Sequence, residues 1–257
     1  MFTVDLNCDM GESFGAWQMG RDVELMDSVS SINVACGFHA GDASVIRKTI
    51  EAAIEKGVCI GAHPSFPDLQ GFGRREMRMS PKEIFDIALY QIAAVKGMCE
   101  ALGGNLHHVK PHGALYNQAA KDKDLAAAIA EATKALDPKL IFYGLANSLL
   151  ISEAERAGLE TASEAFADRT YQADGNLTNR SQPGALIETP EKSAAQVLEI
   201  IRAQTVTATG GEKVSVKADT VCIHGDGKHA VEFAREIRRR LEKNGVLIQA
   251  IRRAESK

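Results

Sequence analysis

The stretch Asn33-Val34-Ala35-Cys36-Gly37-Phe38-His39-Ala40-Gly41-Asp42 decides the fold class of this chain. The apolar run Ile32–Cys36 predicts a buried strand, and the glycine that follows permits a sharp turn because it has no Cβ atom. His39 lies on this turn, and Asp42 stands at the N-cap position of a predicted helix, Val45–Lys56. A strand, a glycine turn that carries an imidazole and a capped helix form the unit from which α/β enzymes are built.

Similar units follow one another along the whole chain, with strands and helices alternating about every 30 residues. This alternation predicts parallel strands joined by right-handed crossovers, and seven or eight units in about 250 residues favour a closed barrel. We therefore expect one α/β domain over residues 1–257, an irregular (β/α) barrel of about seven parallel strands, with an open doubly wound sheet as the alternative. No GxGxxG follows a predicted strand, which disfavours dinucleotide binding. The predicted strands are Thr3–Cys8, Ile32–Cys36, Val58–Ala62, Leu106–Val109, Leu140–Leu145, Glu160–Ser163, Thr220–Ile223 and Val246–Ile251, with a separate hairpin of Thr205–Thr209 and Glu212–Val216 around Gly210-Gly211.

Composition excludes several classes of function. The chain has 257 residues and a net charge of −4, so it offers no basic field for nucleic acid. No run approaches the roughly 18 apolar residues of a membrane span, and no apolar signal segment is visible, so we expect a cytoplasmic protein. The five cysteines are odd in number and form no CxxC pair. They predict buried, reduced thiols, with a catalytic Cys8 or Cys36 as the less favoured interpretation.

Polar and titratable side chains fall where the predicted strands end. Alternation along the first strand places Asp5, Asn7 and Asp9 on one face, which fits a barrel interior or the mouth of a site. In a parallel barrel all strands end at the same face, so residues 200 positions apart meet around one pocket. The residues that follow successive strands are Asp9 and Glu12, His39 and Asp42, His63, Lys110 and His112, then Glu164, Asp168 and Arg169, then His224 and Asp226.

Two chemistries suit such a ring of side chains. Asp9, His39 and His63 could bind a divalent metal ion that activates water, although no HxH or HExxH spacing supports it. Alternatively, carboxylates and imidazoles act as acid and base while Lys110 or Arg169 holds an anion. Any one histidine taken alone is best explained as a structural residue, whereas the gathering of His39, His63, His112 and His224 at strand ends favours a shared site. The sequence has no GxSxG elbow and no GxxxxGK[ST] loop, which argues against acyl-serine hydrolysis and excludes a self-contained P-loop ATPase.

Several long motifs, in this order along the chain, resemble those of the LamB/YcsF family. They extend the similarity over almost the whole sequence. They are Asp5-Leu6-Asn7-Cys8-Asp9-Met10-Gly11-Glu12, Asn33 to Asp42, Gly61-Ala62-His63-Pro64-Ser65-Phe66-Pro67-Asp68, Val109-Lys110-Pro111-His112-Gly113-Ala114-Leu115-Tyr116, Glu164-Ala165-Phe166-Ala167-Asp168-Arg169-Thr170-Tyr171 and Val221-Cys222-Ile223-His224-Gly225-Asp226.

The resemblance implies a barrel similar to the glycoside hydrolase/deacetylase fold. It also implies the role of the A subunit in a bacterial ATP-dependent 5-oxoprolinase, which opens 5-oxoproline to L-glutamate together with partner subunits B and C. The absence of a P-loop fits ATP being handled with those partners. The alternatives are a stand-alone metal-dependent deacetylase or amidohydrolase, and a binding subunit without catalysis.

From the residues themselves we expect catalysis by the groups at the strand ends. Asp9 or His63 would be the base for water, and His39 and His112 would protonate the leaving atom. Lys110 and Arg169 would neutralise the substrate carboxylate or phosphate. The expected substrate-binding residues are Asn7, Glu12, Asp42, Arg74, Glu164, Arg169 and His224.

Overall fold

Seven parallel strands form the centre of the computed structural model, which describes residues 2–180, 182–225 and 230–252. The ten strands of the described residues are β1 (Phe2–Met10), β2 (Ser31–Ala35), β3 (Cys59–His63), β4 (Leu106–Val109), β5 (Ile141–Leu145), β6 (Thr161–Phe166), β7 (Thr205–Thr207), β8 (Lys213–Ser215), β9 (Thr220–Ile223) and β10 (Val246–Ile248). The seven central strands are β1 to β6 and β9. The helices are α1 (Asp22–Met26), α2 (Ala43–Lys56), α3 (Pro81–Ala101), α4 (Gly113–Ala119), α5 (Lys123–Leu136), α6 (Leu149–Ala157), α7 (Pro190–Ala203) and α8 (Ala230–Lys243).

The sheet closes on itself, and the predicted barrel is confirmed. The strand order is β1-β2-β3-β4-β5-β6-β9, and β9 pairs again with β1, with Asp5 opposite Thr220 and Asn7 opposite Cys222. β10 pairs only with the first residues of β1, Phe2–Val4, and so extends the sheet beside the barrel without entering it. The open doubly wound sheet is thereby ruled out.

Local sequence signals account for the helix ends. Ser80 and Glu83 form a capping box at the start of α3, with Pro81 as its first residue. Asp42 accepts hydrogen bonds from the backbone N–H groups of Ser44 and Val45, as its position predicts.

Three elements differ from the prediction. The short helix α4 was missing from it, because no side chain caps its first turn. The predicted two-residue turn at Gly210-Gly211 is a five-residue connection from Ala208 to Glu212. The last strand stops at Ile248 instead of Ile251, because β1 offers it only three partners.

The side chains of the first strand point alternately into two regions of the protein interior. Val4, Leu6, Cys8 and Met10 are buried in the apolar layer between barrel and helices. Asp5 faces the other way, where its carboxylate accepts from Tyr143 Oη across the barrel at 3.1 Å. Because β1 and β5 are not neighbours in the sheet, this bond runs through the barrel interior, so the predicted polar face of β1 lines the barrel.

No helix in the described ranges is long and apolar enough to cross a membrane. The cysteines of this part of the chain are free thiols, and all but Cys59 are buried, as expected. Asp226, one of the residues predicted to follow a strand, lies outside the described residues. That the chain is one domain stays a prediction.

Candidate active site

A cavity of about 600 Å³ opens at the carboxyl ends of the barrel strands. Side chains from β1, β3, β4, β6 and β9 or the turns after them line it, which is the convergence that the strand-end pattern predicts. A second depression, at the opposite end of the barrel near Asp219 and Arg252, has neither histidine nor cysteine among its described lining residues. We therefore place the candidate site in the first cavity, whose titratable lining residues include Asp9, Glu12, His63, Lys110, His112 and His224.

Lys110 is the centre of a buried ionic network below this cavity. Its Nζ lies 3.0 Å from Asp9 Oδ1, 2.9 Å from Glu164 Oε1 and 3.1 Å from Cys222 Sγ. Burial on its own lowers the pKa of Lys110, but Asp9, Cys222 and Glu164 outweigh it and raise that pKa well above the usual value. The ammonium charge is therefore balanced within the protein. Its expected role as an anion clamp stays a prediction.

Asp9 joins this network to the histidines above it. Its Oδ1 also accepts from Asn33 Nδ2 at 2.8 Å, and its Oδ2 lies 3.3 Å from His63 Nε2. Burial on its own raises the pKa of Asp9, but His63 and Lys110 together hold it well below its usual value. A carboxylate held in its charged form in this way places a negative charge beside His63 and Lys110. The expected role of Asp9 as a base for water stays a prediction.

Glu164 and Asn7 complete the floor of the site inside the barrel. Asn7 Nδ2 donates to Glu164 Oε1 at 2.9 Å and to Thr220 Oγ1 at 2.8 Å. Tyr116 Oη donates to the other oxygen of Glu164 at 2.7 Å. Both predicted substrate-binding residues are thus occupied by protein partners, and a role in binding substrate stays a prediction for each.

Three imidazoles and one carboxylate converge on the wall of the cavity. One ligand-type atom from each of Glu12, His39, His63 and His112 lies within 4.8 Å of the other three, close enough for a metal ion to join them. The predicted metal set of Asp9, His39 and His63 thus shares two histidines with this group. Glu12 and His112 come together with them, while Asp9 lies beside His63 and contacts Lys110.

The environment keeps at least two of these imidazoles neutral. Burial and the neighbouring His63 lower the pKa of His39 well below its usual value. Burial and the neighbouring His39 and His63 do the same to the pKa of His112. Since a neutral imidazole has a lone pair, both rings are in the form that binds metal ions or accepts protons.

His224, which lines the cavity, pairs with Asp168. Its Nδ1 lies 2.9 Å from both carboxylate oxygens of Asp168, and its ring stacks on Phe166. Burial on its own raises the pKa of Asp168, but His224 and Arg180 lower it below the usual value. A carboxylate that accepts from Nδ1 fixes the imidazole with Nε2 available for proton transfer. Strand-end position pointed to both residues, but only the structure shows that they are partners.

Cationic side chains occupy the same side of the cavity. Arg169 is buried and donates from Nη2 to the Thr178 carbonyl at 2.6 Å, while its Nε has no hydrogen-bond partner in the described part of the chain. Burial and the nearby Arg180 lower the pKa of Arg169 to about 10. Arg74 also lines the cavity, above the Phe72 ring. Guanidinium groups crowded in this way fit a carboxylate or phosphate ligand.

Asp42 lies outside the cavity lining. Its carboxylate accepts from the backbone N–H groups of Gly15, Ser44 and Val45, so it caps α2 and fastens the loop that follows β1. These bonds explain the residue without a ligand, and contact with substrate stays a prediction.

The closed parallel barrel, with acids, imidazoles and guanidinium groups gathered at the carboxyl ends of its strands, defines the class of β/α-barrel enzymes. Within this class the chain belongs to the LamB/YcsF family, whose family model matches residues 4–256.

Relatives are similar over nearly their full length. The protein from Tolumonas auensis that is named as the A subunit of 5-oxoprolinase is 59% identical over 98% of this chain and 100% of that protein. The protein of the same name from Bacillus subtilis is 55% identical over 98% of both chains. The crystal structure of a lactam utilization protein from Thermus thermophilus superimposes with a TM-score of 0.92, at 47% identity, covering 97% of this chain and 100% of that one.

A more distant structure supports the fold alone. A putative cellobiose-phosphate cleavage protein from Enterococcus faecalis reaches a TM-score of 0.59 at 13% identity, over 96% of each chain. The barrel is therefore shared beyond the family, but the side chains of the site are not carried over from that comparison.

Proposed function

We propose that this protein is the A subunit of a 5-oxoprolinase, which opens the lactam of 5-oxoproline to L-glutamate in a reaction coupled to ATP hydrolysis. The observation that carries the proposal is the full-length identity of 59% and 55% to two proteins named as A subunits of 5-oxoprolinase. The word subunit in those names supports partner chains, which we take to be subunits B and C. We place the reaction in the cytoplasm, where ATP and reduced thiols coexist.

The chemistry explains why ATP is needed. A lactam is stabilised by resonance and reacts slowly with water. Transfer of the γ-phosphoryl group of ATP to the lactam oxygen releases ADP and makes the ring carbon more electrophilic. Water then adds to that carbon, and cleavage of the C–N bond frees the amine and leaves an acyl phosphate. A second water releases phosphate and gives glutamate.

Protonation of the ring nitrogen decides whether the ring opens to give product or ATP is hydrolysed without ring opening. If the tetrahedral intermediate loses phosphate first, the lactam returns and the ATP is wasted. A proton delivered to nitrogen makes the amine the better leaving group. We assign this proton to His224, which Asp168 orients, in place of His39 and His112, because the lowered pKa values of those two histidines favour their neutral forms. We assign the activation of water to the group around His63. Asp9 supplies negative charge beside His63, and Arg169 holds the substrate carboxylate or the phosphoryl group.

The direct test is reconstitution of the full chain with its partner subunits. We expect glutamate to form only when ATP and all subunits are present. Arg169→Met should lower kcat/KM by about 10²–10³, because it removes a preorganised charge from a dry site. The matched control is Arg47→Met, on the exposed face of α2, where Arg47 pairs with Glu51. Equal activity of both variants would refute the role of Arg169.

A second variant separates proton transfer from binding. We expect His224→Gln to lower kcat by about 10²–10⁴ with little change in KM, because general acid catalysis contributes about that much. His107→Gln is the control, since His107 bonds the Ile251 carbonyl outside the cavity. Steady-state kinetics of the reconstituted enzyme measure both. A change in KM alone would assign His224 to substrate binding instead.

The histidine and glutamate cluster favours one further candidate function, that of a metal-dependent amidohydrolase that needs no partner. This candidate predicts lactam or amide hydrolysis by the isolated chain without ATP, abolished by a chelator. A binding subunit without catalysis predicts that variants of the cavity weaken ligand affinity or assembly while turnover at saturation is unchanged.

A further inference from the structure

We propose that Glu12, His39, His63 and His112 bind one divalent transition-metal ion of the zinc type at the wall of the cavity. The binding itself does not rest on the proposed function. Only the contribution of a bound ion to the reaction rests on the proposed function.

The hydrogen bonds of two histidines to backbone carbonyls leave their other ring nitrogens facing each other. His63 Nδ1 lies 2.7 Å from the Lys110 carbonyl, and His112 Nε2 lies 2.9 Å from the Phe72 carbonyl. Carbonyl oxygens only accept, so these two nitrogens donate. The remaining nitrogens, His63 Nε2 and His112 Nδ1, are 3.0 Å apart. In neutral rings both present lone pairs. A cation between them, a proton or a metal ion, satisfies both lone pairs, and Asp9 Oδ2, 3.3 Å from His63 Nε2, adds a negative charge beside it.

Such backbone carbonyls are the usual support of metal-bound histidines. A ligating imidazole nearly always donates its other N–H to a carbonyl or carboxylate, which fixes the tautomer and the direction of the ring. His63 and His112 both have this support, from segments after β4 and within the loop before α3. The two rings are thus oriented before any ion arrives.

His39 has no other explanation among the described residues. Its side chain is fully buried, and neither ring nitrogen has a hydrogen-bond partner there. The ring stacks on that of His112 with centroids 3.9 Å apart, and its Nε2 lies 3.8 Å from Glu12 Oε1. A buried polar atom without a partner is unfavourable, and a metal bond would satisfy it.

The distances within the cluster match tetrahedral coordination. Bonds of about 2.0–2.2 Å at tetrahedral angles separate ligand atoms by roughly 3.3–3.5 Å. The observed separations are 3.0 Å for the two facing nitrogens and 3.8 Å from Glu12 Oε1 to both His39 Nε2 and His112 Nδ1. These three separations bracket that value, and all four atoms lie within 4.8 Å of one another, so contraction of the cluster around an ion would complete the coordination.

The donor types narrow the choice of metal. Three imidazoles with one carboxylate suit zinc, cobalt, nickel or iron, whereas magnesium and calcium require oxygen ligands. Glu12, His63 and His112 also line the cavity, so the ion would face a bound substrate. There it could polarise a lactam oxygen or lower the pKa of a water molecule.

The test is metal binding by the purified full-length chain, stripped with a chelator and titrated with zinc or cobalt. We expect one equivalent bound by calorimetry and elemental analysis, and a visible absorption spectrum of tetrahedral type with cobalt. Glu12→Gln and His112→Asn should each weaken binding by at least about 100-fold, because each removes a direct ligand. Circular dichroism establishes that the variants are folded, and Glu12→Gln keeps the shape of the side chain.

The control is His224→Asn, which removes the histidine of a second cluster of Asp9, Cys222 and His224. Binding that survives in this variant but not in Glu12→Gln supports the proposal. No binding by the wild-type chain, or loss of binding in His224→Asn with retention in His112→Asn, overturns it. Neither readout uses activity, so a failure here is distinct from a failure of the ring-opening test.

Discussion

Replacing Lys110 by methionine will destabilise the protein by about 3–5 kcal/mol, the range found when one partner of a buried ion pair is removed. Methionine keeps most of the apolar stem, so the lost group is the ammonium alone. Without it the carboxylates of Asp9 and Glu164 share a nearly dry space with no cation between them. Urea unfolding followed by circular dichroism measures the change in the free energy of unfolding.

Two further variants make the interpretation specific. Lys82→Met removes an exposed lysine that pairs with Asp86, and we expect little change because exposed pairs contribute little. Adding Glu164→Gln to Lys110→Met should recover part of the loss, since it removes one of the two uncompensated charges. If Lys110→Met and Lys82→Met behave alike, the network around Lys110 does not stabilise the fold.

Replacing Gly73 by alanine will disturb the histidine cluster without touching a titratable group. Gly73 has φ +65°, and an added Cβ would collide with Ser65 Oγ and lie 2.8 Å from His112 Cδ2 and 2.9 Å from His39 Cβ. The left-handed backbone costs about 1–2 kcal/mol for alanine, and overpacking adds about 1–3 kcal/mol. Because a displacement of about 1 Å can cost 10²-fold in rate, we expect a loss of activity of at least that order.

Gly57→Ala is the matched control for this variant. Gly57 ends α2 with φ +66°, and an added Cβ would meet nothing within 4 Å. It shares the backbone strain of Gly73 without the collision. Equal losses of stability and activity in both variants would show that only backbone strain matters. A larger loss in Gly73→Ala would locate the effect at the side chains around Gly73, which are Ser65, His39 and His112.

Local signals in the sequence were enough to predict most of the fold. Caps such as Ser80 with Glu83, and runs such as Thr220–Ile223, identify elements within a few residues, and their alternation predicts the barrel. α4 was missed because its start has no side-chain cap. The length of β10 depends on how many residues of β1 remain unpaired by β9. No local sequence signal indicates that number.

The location of the site could be predicted from the sequence. The contacts between its side chains were less predictable. Strand ends indicated which side chains gather at the cavity, because parallel strands share one carboxyl face. Which of them touch depends on side-chain directions and on partners far away in sequence. The sequence pattern grouped Asp9 with the histidines. In the structure one of its carboxylate oxygens accepts a hydrogen bond from Lys110, about one hundred residues later in the chain. Glu12 reaches His39 and His112 through a loop whose course the sequence alone does not determine.

The closure of the barrel between β1 and β9 has a consequence for synthesis on the ribosome. The first strand emerges early, but its partner Thr220, which donates to Asp5 and accepts from Asn7, is translated more than two hundred residues later. Until then the nascent chain has an open edge, and such distant pairings form slowly. The face of β1 that awaits this partner carries Asp5, Asn7 and Asp9, so water can solvate it and this strand exposes no apolar surface on that side to neighbouring chains.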